Sequence, residues 1–361
     1  MPGLYIGSTS GFAGKNLLAM ALGLKLQKEG YKVGFMKPIG TLPSEHGSSF
    51  GDDDAFFVQE VLGLNEDLEL VSPVLVTHDL QMEVFSKGCP DLMGKIREAY
   101  QSLSKDKDVM LICGSGSYLH AGKYCNVAGQ DVSQALGARV ILVDRFFKEF
   151  YYDYIISAKE LLEEDLLGAV FNCVPESRMS MVNDMIAPLL KRRSIDVLGV
   201  IPEDPLLNAI RVRDLAKRLG GKIISVPSKS DVVVENFLIG TMQVENFMTH
   251  FKKKKNSAVI VGGDRSDLQL VALEGKCPCL ILTGNLYPND IILTRSEVLE
   301  VPIIVVREDT YTVAKKMETI LESIKLRDPI KINHGSQLVN SIIDIEAIKT
   351  GLGLGTPSGR S

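Results

Sequence analysis

Lys15 is the residue with the clearest chemical use. It follows Gly14 in Gly7-Ser8-Thr9-Ser10-Gly11-Phe12-Ala13-Gly14-Lys15-Asn16, between the apolar run Leu4-Tyr5-Ile6 and a long helical pattern. Backbone N–H groups at a helix N-terminus attract anions, glycines let the backbone approach closely, and lysine adds a mobile positive charge. Gly11, Gly14 and Lys15 are placed for such a phosphate cradle. The strict phosphate-loop pattern wants glycine where Thr9 stands, and Ser or Thr where Asn16 stands. The stretch is a variant, and a tight strand-to-helix turn is the competing reading.

Other reactive residues give less. His46, His78, His120, His250 and His334 are not spaced as a metal pair. Gly114-Ser115-Gly116 lacks the G-x-S-x-G of a nucleophile elbow, so Ser115 and His120 read as part of a loop lining a ligand crevice. Cys113 ends an apolar run, where a buried thiol is ordinarily inert. The six cysteines are scattered, and Cys277-Pro278-Cys279 lacks the gap and the second pair of a zinc site. Reduced thiols are expected. Lys252 to Lys255, without interleaved aromatics, read as the solvated end of a helix.

The elements that must position Lys15 alternate. Strands are expected at Leu4 to Gly7, Lys32 to Ile39, Val109 to Ile112, Arg139 to Val143, Leu167 to Cys173 and Val197 to Ile201. Helices are expected at Lys15 to Glu29, Asp54 to Leu62, Gln130 to Leu136 and Met179 to Leu190, with Asp52-Asp53-Asp54 at a helix N-terminus favourable to acids. Such alternation argues for a parallel sheet with helices on both faces. Pro202-Glu203-Asp204-Pro205 marks a boundary. A second, smaller α/β unit follows, with strands at Lys222 to Val226, Ala258 to Val261, Leu280 to Leu282 and Ile303 to Val306 and a helix from Tyr311 to Ile324. Beyond Arg327 a C-terminal extension is expected, its last ten or so residues disordered.

Bulk properties bound the function. A chain of 361 residues exceeds one ordinary core, so two domains are expected. A net charge of −5 gives no sign of a nucleic-acid partner. No charged leader precedes the first strand, and no apolar run approaches the roughly 20 residues that span a bilayer. A cytoplasmic protein without a membrane or nucleic-acid partner is expected.

The first 200 or so residues resemble the dethiobiotin synthetase-like and cobyrinic acid a,c-diamide synthase-like branch of P-loop proteins, in the version found at the N-terminus of long phosphate acetyltransferases. Gly14-Lys15, Lys37-Pro38, Asp54-Ala55, Val109-Met110-Leu111-Ile112 before Gly114-Ser115-Gly116, Asn172-Cys173-Val174-Pro175 and Gly199-Val200-Ile201-Pro202 carry the likeness in that order. Gly262-Gly263-Asp264-Arg265-Ser266-Asp267, Leu282-Thr283-Gly284-Asn285 and Arg307-Glu308-Asp309-Thr310 resemble a DRTGG domain, with Asn285 replacing the second glycine of its Thr-Gly-Gly. The resemblance implies an α/β fold, a P-loop NTPase-like parallel sheet with helices on both faces, followed by a smaller α/β DRTGG domain. It implies domains at residues 1–203 and 204–325 and an extension over 326–361. Too few residues follow Arg327 for an acetyltransferase domain.

Carried over residue by residue, the resemblance implies that Ser10, Gly11, Gly14, Lys15 and Asn16 surround the phosphates of ATP. Lys37 would sit beside the γ-phosphate or a bound acid, Asn172 and Pro202 would border the base, and Asp54 would face Mg²⁺. First-turn acid, strand-end charge and strand-end amide are the structural alternatives for Asp54, Lys37 and Asn172. In the second domain, Asp264, Arg265, Thr283, Gly284, Asn285 and Thr310 are the ligand candidates. Two departures weigh against magnesium: Asn16 replaces the loop hydroxyl, and Cys113 replaces an acid. Three readings remain. The favoured one is a nucleotide- or metabolite-binding regulatory protein with weak or absent turnover, self-associating through the DRTGG domain and partnered by a separate phosphate acetyltransferase. The others are an ATP-dependent ligase of the dethiobiotin synthetase or cobyrinate diamide synthase type, and an assembly partner that binds no nucleotide.

Overall fold

In a computed structural model the structure describes residues 1–47, 49–147, 149–322 and 327–357. The chain divides into two compact units, Met1–Glu203 with Arg327–Ser361, and Asp204–Leu326.

Six short apolar runs of the first unit pair as one sheet: β1 (Gly3–Ser8), β2 (Val33–Met36), β3 (Val109–Cys113), β4 (Arg139–Arg145), β5 (Leu166–Val174) and β6 (Val197–Pro202). Their order is β6-β5-β4-β1-β3-β2, and every pairing is parallel. Central strands of such a sheet are covered on both faces and so read as unbroken apolar runs. Every residue of β1 and β3 is buried. The chain leaves β1 towards one edge of the sheet and leaves β3 towards the other. The C-terminal ends of these strands therefore flank the crevice where open α/β sheets take ligands.

Helix α1 (Lys15–Lys28) fills the step after β1. It is apolar nearly all round, the pattern of a helix covered on more than one side. It lies on the sheet and packs against α2 (Asp53–Leu62) and a helix at Pro329–Ile342. Gly23 permits the α1–α2 approach, because a Cβ there would press into Leu62. Asp52 caps α2 by accepting a hydrogen bond from the Ala55 N–H at 2.9 Å, and Gly63 ends it in the left-handed region at φ 63°.

The segment expected as a C-terminal extension groups with the first unit. Helices Pro329–Ile342 and Ile345–Leu352 belong to the first unit. Ile332, Val339, Ile345, Ile348 and Leu352 form apolar stripes that are buried. Gly199 on β6 lies against Ile343, and Gly351 against Leu167. The Tyr31 hydroxyl donates to the Gly355 carbonyl at 3.0 Å, so the chain stays attached beyond the last helix. Of the ten residues expected to be disordered, 358–361 lie outside the described residues. The expectation of six reduced thiols is corrected. Cys89 and Cys125, 36 residues apart, form a disulfide with their Cα atoms 5.5 Å apart. Fold proximity brings them together, which sequence spacing does not reveal.

The larger sheet of the second unit has five strands: β7 (Lys222–Ser225), β8 (Asn236–Gly240), β9 (Ser257–Gly262), β10 (Leu280–Thr283) and β11 (Ile303–Val305). Their order is β7-β11-β10-β9-β8, parallel except for β7. Two apolar clusters cover its faces, one around Ile260, Ile281 and Met317, the other around Val259, Leu282 and Phe247. The four strands expected from sequence omit β8. The helix expected from Tyr311 to Ile324 spans Thr310–Glu322, and residues 323–326 lie outside the described ones.

Ile348 tests the placement of the C-terminal helices. It is buried, so Ile348→Ala should destabilise the protein by about 2–4 kcal/mol. Urea unfolding reads this directly. A loss below about 0.5 kcal/mol, the scale of surface substitutions, would mean that the segment hangs free.

Candidate functional site

The loop between β1 and α1 turns at Gly14. Its φ of 103° lies in the left-handed region, which a side chain disfavours. A Cβ at Gly14 would also collide with the Asn172 amide. That amide donates to the Ala13 carbonyl at 2.8 Å, while its oxygen accepts from the Cys173 N–H at 2.9 Å. Both ends of Asn172 are thus committed to backbone, and it fixes the loop. Ser8 accepts from Lys15 Nζ at 2.6 Å and donates to the Ser10 carbonyl at 2.6 Å. Ser10 and Gly11 form the outer tip, with open space around Gly11.

Lys15 is folded back into the protein and 8% exposed. Its ammonium also donates to the Gly116 carbonyl at 3.3 Å. Burial brings its pKa down to about 8, against smaller pulls upward from Cys113 and Asp54. On the neighbouring strand, Asp144 is fully buried and accepts from the Thr9 hydroxyl and, at 2.9 Å, from the Tyr151 N–H. Burial pushes its pKa up to about 6, although both hydrogen bonds oppose the shift. Asp144 was missed from sequence because an acid at the end of a buried strand carries no motif.

A second cluster adjoins the first. Lys37 follows β2, and its ammonium lies 2.7 Å from Asp52 Oδ1 and 3.5 Å from Asp54 Oδ2. Asp52 is fully buried and also accepts from the Leu42 N–H at 2.9 Å. Arg327 Nη2 lies 2.8 Å from Asp54 Oδ1 and 2.6 Å from Asp53 Oδ2. Asp52 is the helix-start acid expected, but its buried pairing with Lys37 was not read from sequence, nor was Arg327, which opens the segment expected as an extension.

Asp54, the residue expected to face Mg²⁺, is engaged in ion pairs in this arrangement. Magnesium needs several hard oxygens in near-octahedral geometry. Both oxygens of Asp54 face cationic groups, and Asn16 Oδ1 accepts from the Cys113 thiol at 3.3 Å. Burial pushes that thiol up to about 11, so it stays neutral. Among the described residues no three His, Cys, Asp or Glu side chains gather as a metal site. Pro202 pairs with Val174 at the edge strand β6, three places from β1.

In the second unit Thr283, Gly284, Asn285 and Thr310 come together at the C-terminal end of β10. The Thr283 and Thr310 hydroxyls share a hydrogen bond at 2.7 Å, and the N–H groups of Gly284 and Asn285 donate to the Glu308 and Val306 carbonyls at 2.8 and 2.9 Å. Gly284 and Asn285 both hold positive φ, 78° and 55°, which asparagine tolerates better than most residues. Arg265 is instead clamped on Asp267 at 2.9 and 2.8 Å, and Asp264 is exposed beside it. Gln269, unnoticed in the sequence, is fully buried and donates to the Gly262 and Gly263 carbonyls at 3.1 and 3.0 Å.

A family model described as an AAA domain matches residues 2–211, and one described as a DRTGG domain matches residues 214–320. The phosphate acetyltransferase of Nitratidesulfovibrio vulgaris is 24% identical over 94% of this chain and 50% of its own length. The ATP-dependent dethiobiotin synthetase BioD of Methanococcus vannielii is 22% identical over 55% of this chain and 92% of its own. The chain spans about half the length of the phosphate acetyltransferases it matches. A crystal structure of cobyrinic acid a,c-diamide synthase from Mycobacterium smegmatis with bound ADP and magnesium superposes with a TM-score of 0.35 at 16% identity, covering 56% of this chain and 86% of that one. The two family models and the two relatives by sequence bear out the resemblance to the P-loop and DRTGG pair. No helix among the described residues is long and apolar enough to cross a membrane.

The Gly14 turn gives a direct test. Gly14→Ala should cost about 1–3 kcal/mol through backbone strain alone, and more if Asn172 is displaced. Chemical denaturation measures it. An unchanged midpoint would show that the loop is not held as described.

Proposed function

The chain belongs to the AAA domain family, and on that premise we propose that it is a nucleotide- or metabolite-binding regulatory protein with weak or absent turnover. One observation supports this best: the Gly14 turn is held open by Asn172 at the head of a helix, with the buried Lys15 behind it. In this reading the backbone from Ser10 to Lys15 cradles the phosphates of ATP, and Lys15 and Lys37 supply charge. Phosphoryl transfer leans on a metal to neutralise developing charge, and the engaged oxygens of Asp54 and Asn16 argue against one here. Thr283, Gly284, Asn285 and Thr310 form the proposed ligand site of the second unit, with Asp264 and Arg265 at its margin. A separate phosphate acetyltransferase is the enzyme partner this reading implies. The ATP-dependent ligase is the second reading, favoured by the likeness to dethiobiotin synthetase over 92% of that protein.

Self-association is proposed through the second unit. A groove of about 620 Å³ follows the outer edge of β8, lined by Phe237, Leu238, Ile239, Met242, Thr310 and Lys254. Consecutive strand residues point to opposite faces, so a groove lined by three in a row runs along the strand's open edge. Among the described residues no hydrogen bond reaches that edge. Unprotected apolar edges template strand pairing, whereas the opposite edge, β7, carries a register irregularity and Lys222. The occupant proposed is β8 of a second copy, antiparallel, with uncharged Asn236–Gly240 against itself and the Lys254 end facing the Asp309 end.

Thermal unfolding with ATP, with and without magnesium, tests the nucleotide site. ATP at about 100 times its dissociation constant should stabilise the protein by roughly 2.7 kcal/mol, and Lys15→Ala should abolish the shift. Magnesium-dependent phosphate release would favour the ligase instead. The Lys15 ammonium is charged below pH 8 and neutral above it. ATP affinity should therefore fall as pH rises through about 8, and a flat profile would remove Lys15 from the site. Light scattering at micromolar protein should give about twice 39.5 kDa. A monomer mass would end the edge-pairing proposal.

A further inference from the structure

We infer that Arg327 stands at Asp54 where a P-loop protein would bring its divalent cation, so that the phosphate site works without metal as long as this pair is closed. The inference rests on reading the first unit as a phosphate site.

The contact is a built clamp. Arg327 Nη2 reaches Asp54 Oδ1 at 2.8 Å, Asp53 Oδ2 at 2.6 Å and the Asp53 carbonyl at 3.2 Å. Its guanidinium lies 4.3 Å from the centre of the Phe57 ring. Asp53 and Phe57 are four residues apart on one helix, hence on one face. Arg327 thus spans the first turn of α2, held by charge at one end and by the ring at the other. A planar guanidinium suits this combination better than an ammonium does. The second oxygen of Asp54 faces Lys37 at 3.5 Å. A divalent ion approaching Asp54 meets two positive groups already in place. Asn16, at the expected loop position, offers an oxygen that accepts from the Cys113 thiol.

The clamp is also releasable. The side chains of Arg327 and Asp54 are 30% and 19% exposed, so solvent screens the pair and opening it is not prohibitive. The first unit resumes at Arg327. The residue that closes the metal position is therefore the one at which the chain returns to the first unit.

Calorimetric titration with ATP decides the matter, performed on the full chain in EDTA and in excess magnesium. Wild type should bind ATP with dissociation constants that agree within about threefold between the two conditions. Arg327→Gln should bind at least about tenfold more tightly in magnesium than in EDTA, a difference of 1.4 kcal/mol. Adding Asp54→Asn to that variant should erase the gain, because the freed carboxylate is then absent. Magnesium dependence in wild type overturns the inference, whether or not the variants fold. So does an Arg327→Gln protein as indifferent to magnesium as wild type. If wild type binds no ATP in either condition, the phosphate-site reading fails and this inference with it.

Discussion

The turn at Gly14 constrains the rest of the first unit. β1 must end and α1 must begin within a few residues, and the chain achieves this with one residue at φ 103°. That conformation survives because Asn172, from a strand two places away, holds the preceding carbonyl and fills the space a Cβ would need. The turn therefore depends on the register of β1, β4 and β5, and that register depends on buried apolar strands. The loop is consequently fixed by the sheet rather than by its own sequence.

Much of this was legible in the sequence. Strand-and-helix alternation gave the parallel sheet because covered strands must be apolar throughout. Gly14-Lys15 marked the strand-to-helix turn because glycine admits the left-handed backbone that the turn requires. What escaped reading shares one physical cause. Asp52, Asp144, Gln269 and Arg327 are ordinary residue types whose roles come from burial or from long-range contact. The C-terminal helices escaped for a different reason. Their apolar stripes were present, but a glycine-rich end drew attention to disorder. The all-round apolarity of α1 was the overlooked signal, since a helix apolar on every side needs a second cover.

The acids and bases near the loop divide into two kinds. Lys37 and Arg327 are ion-paired with the three carboxylates of Asp52, Asp53 and Asp54, and buried Asp52 lies 2.7 Å from Lys37. Removing one member of such a buried pair is strongly destabilising, because the survivor is left unmatched. This cluster holds the start of α2 in place.

Lys15 is the other kind. It is as buried as Lys37 yet forms no ion pair among the described residues, and its partners are a hydroxyl and a carbonyl. Burying a cation without a counter-charge is costly, and the lowered pKa registers that cost. A fold stabilised only by its own contacts would gain by replacing such a residue with an apolar one. On the reading proposed above, an anion in the Gly14 loop would supply the missing partner. The turn that only glycine readily makes and the unmatched charge of Lys15 are adjacent in the chain, and a phosphate bound there would give that charge its partner.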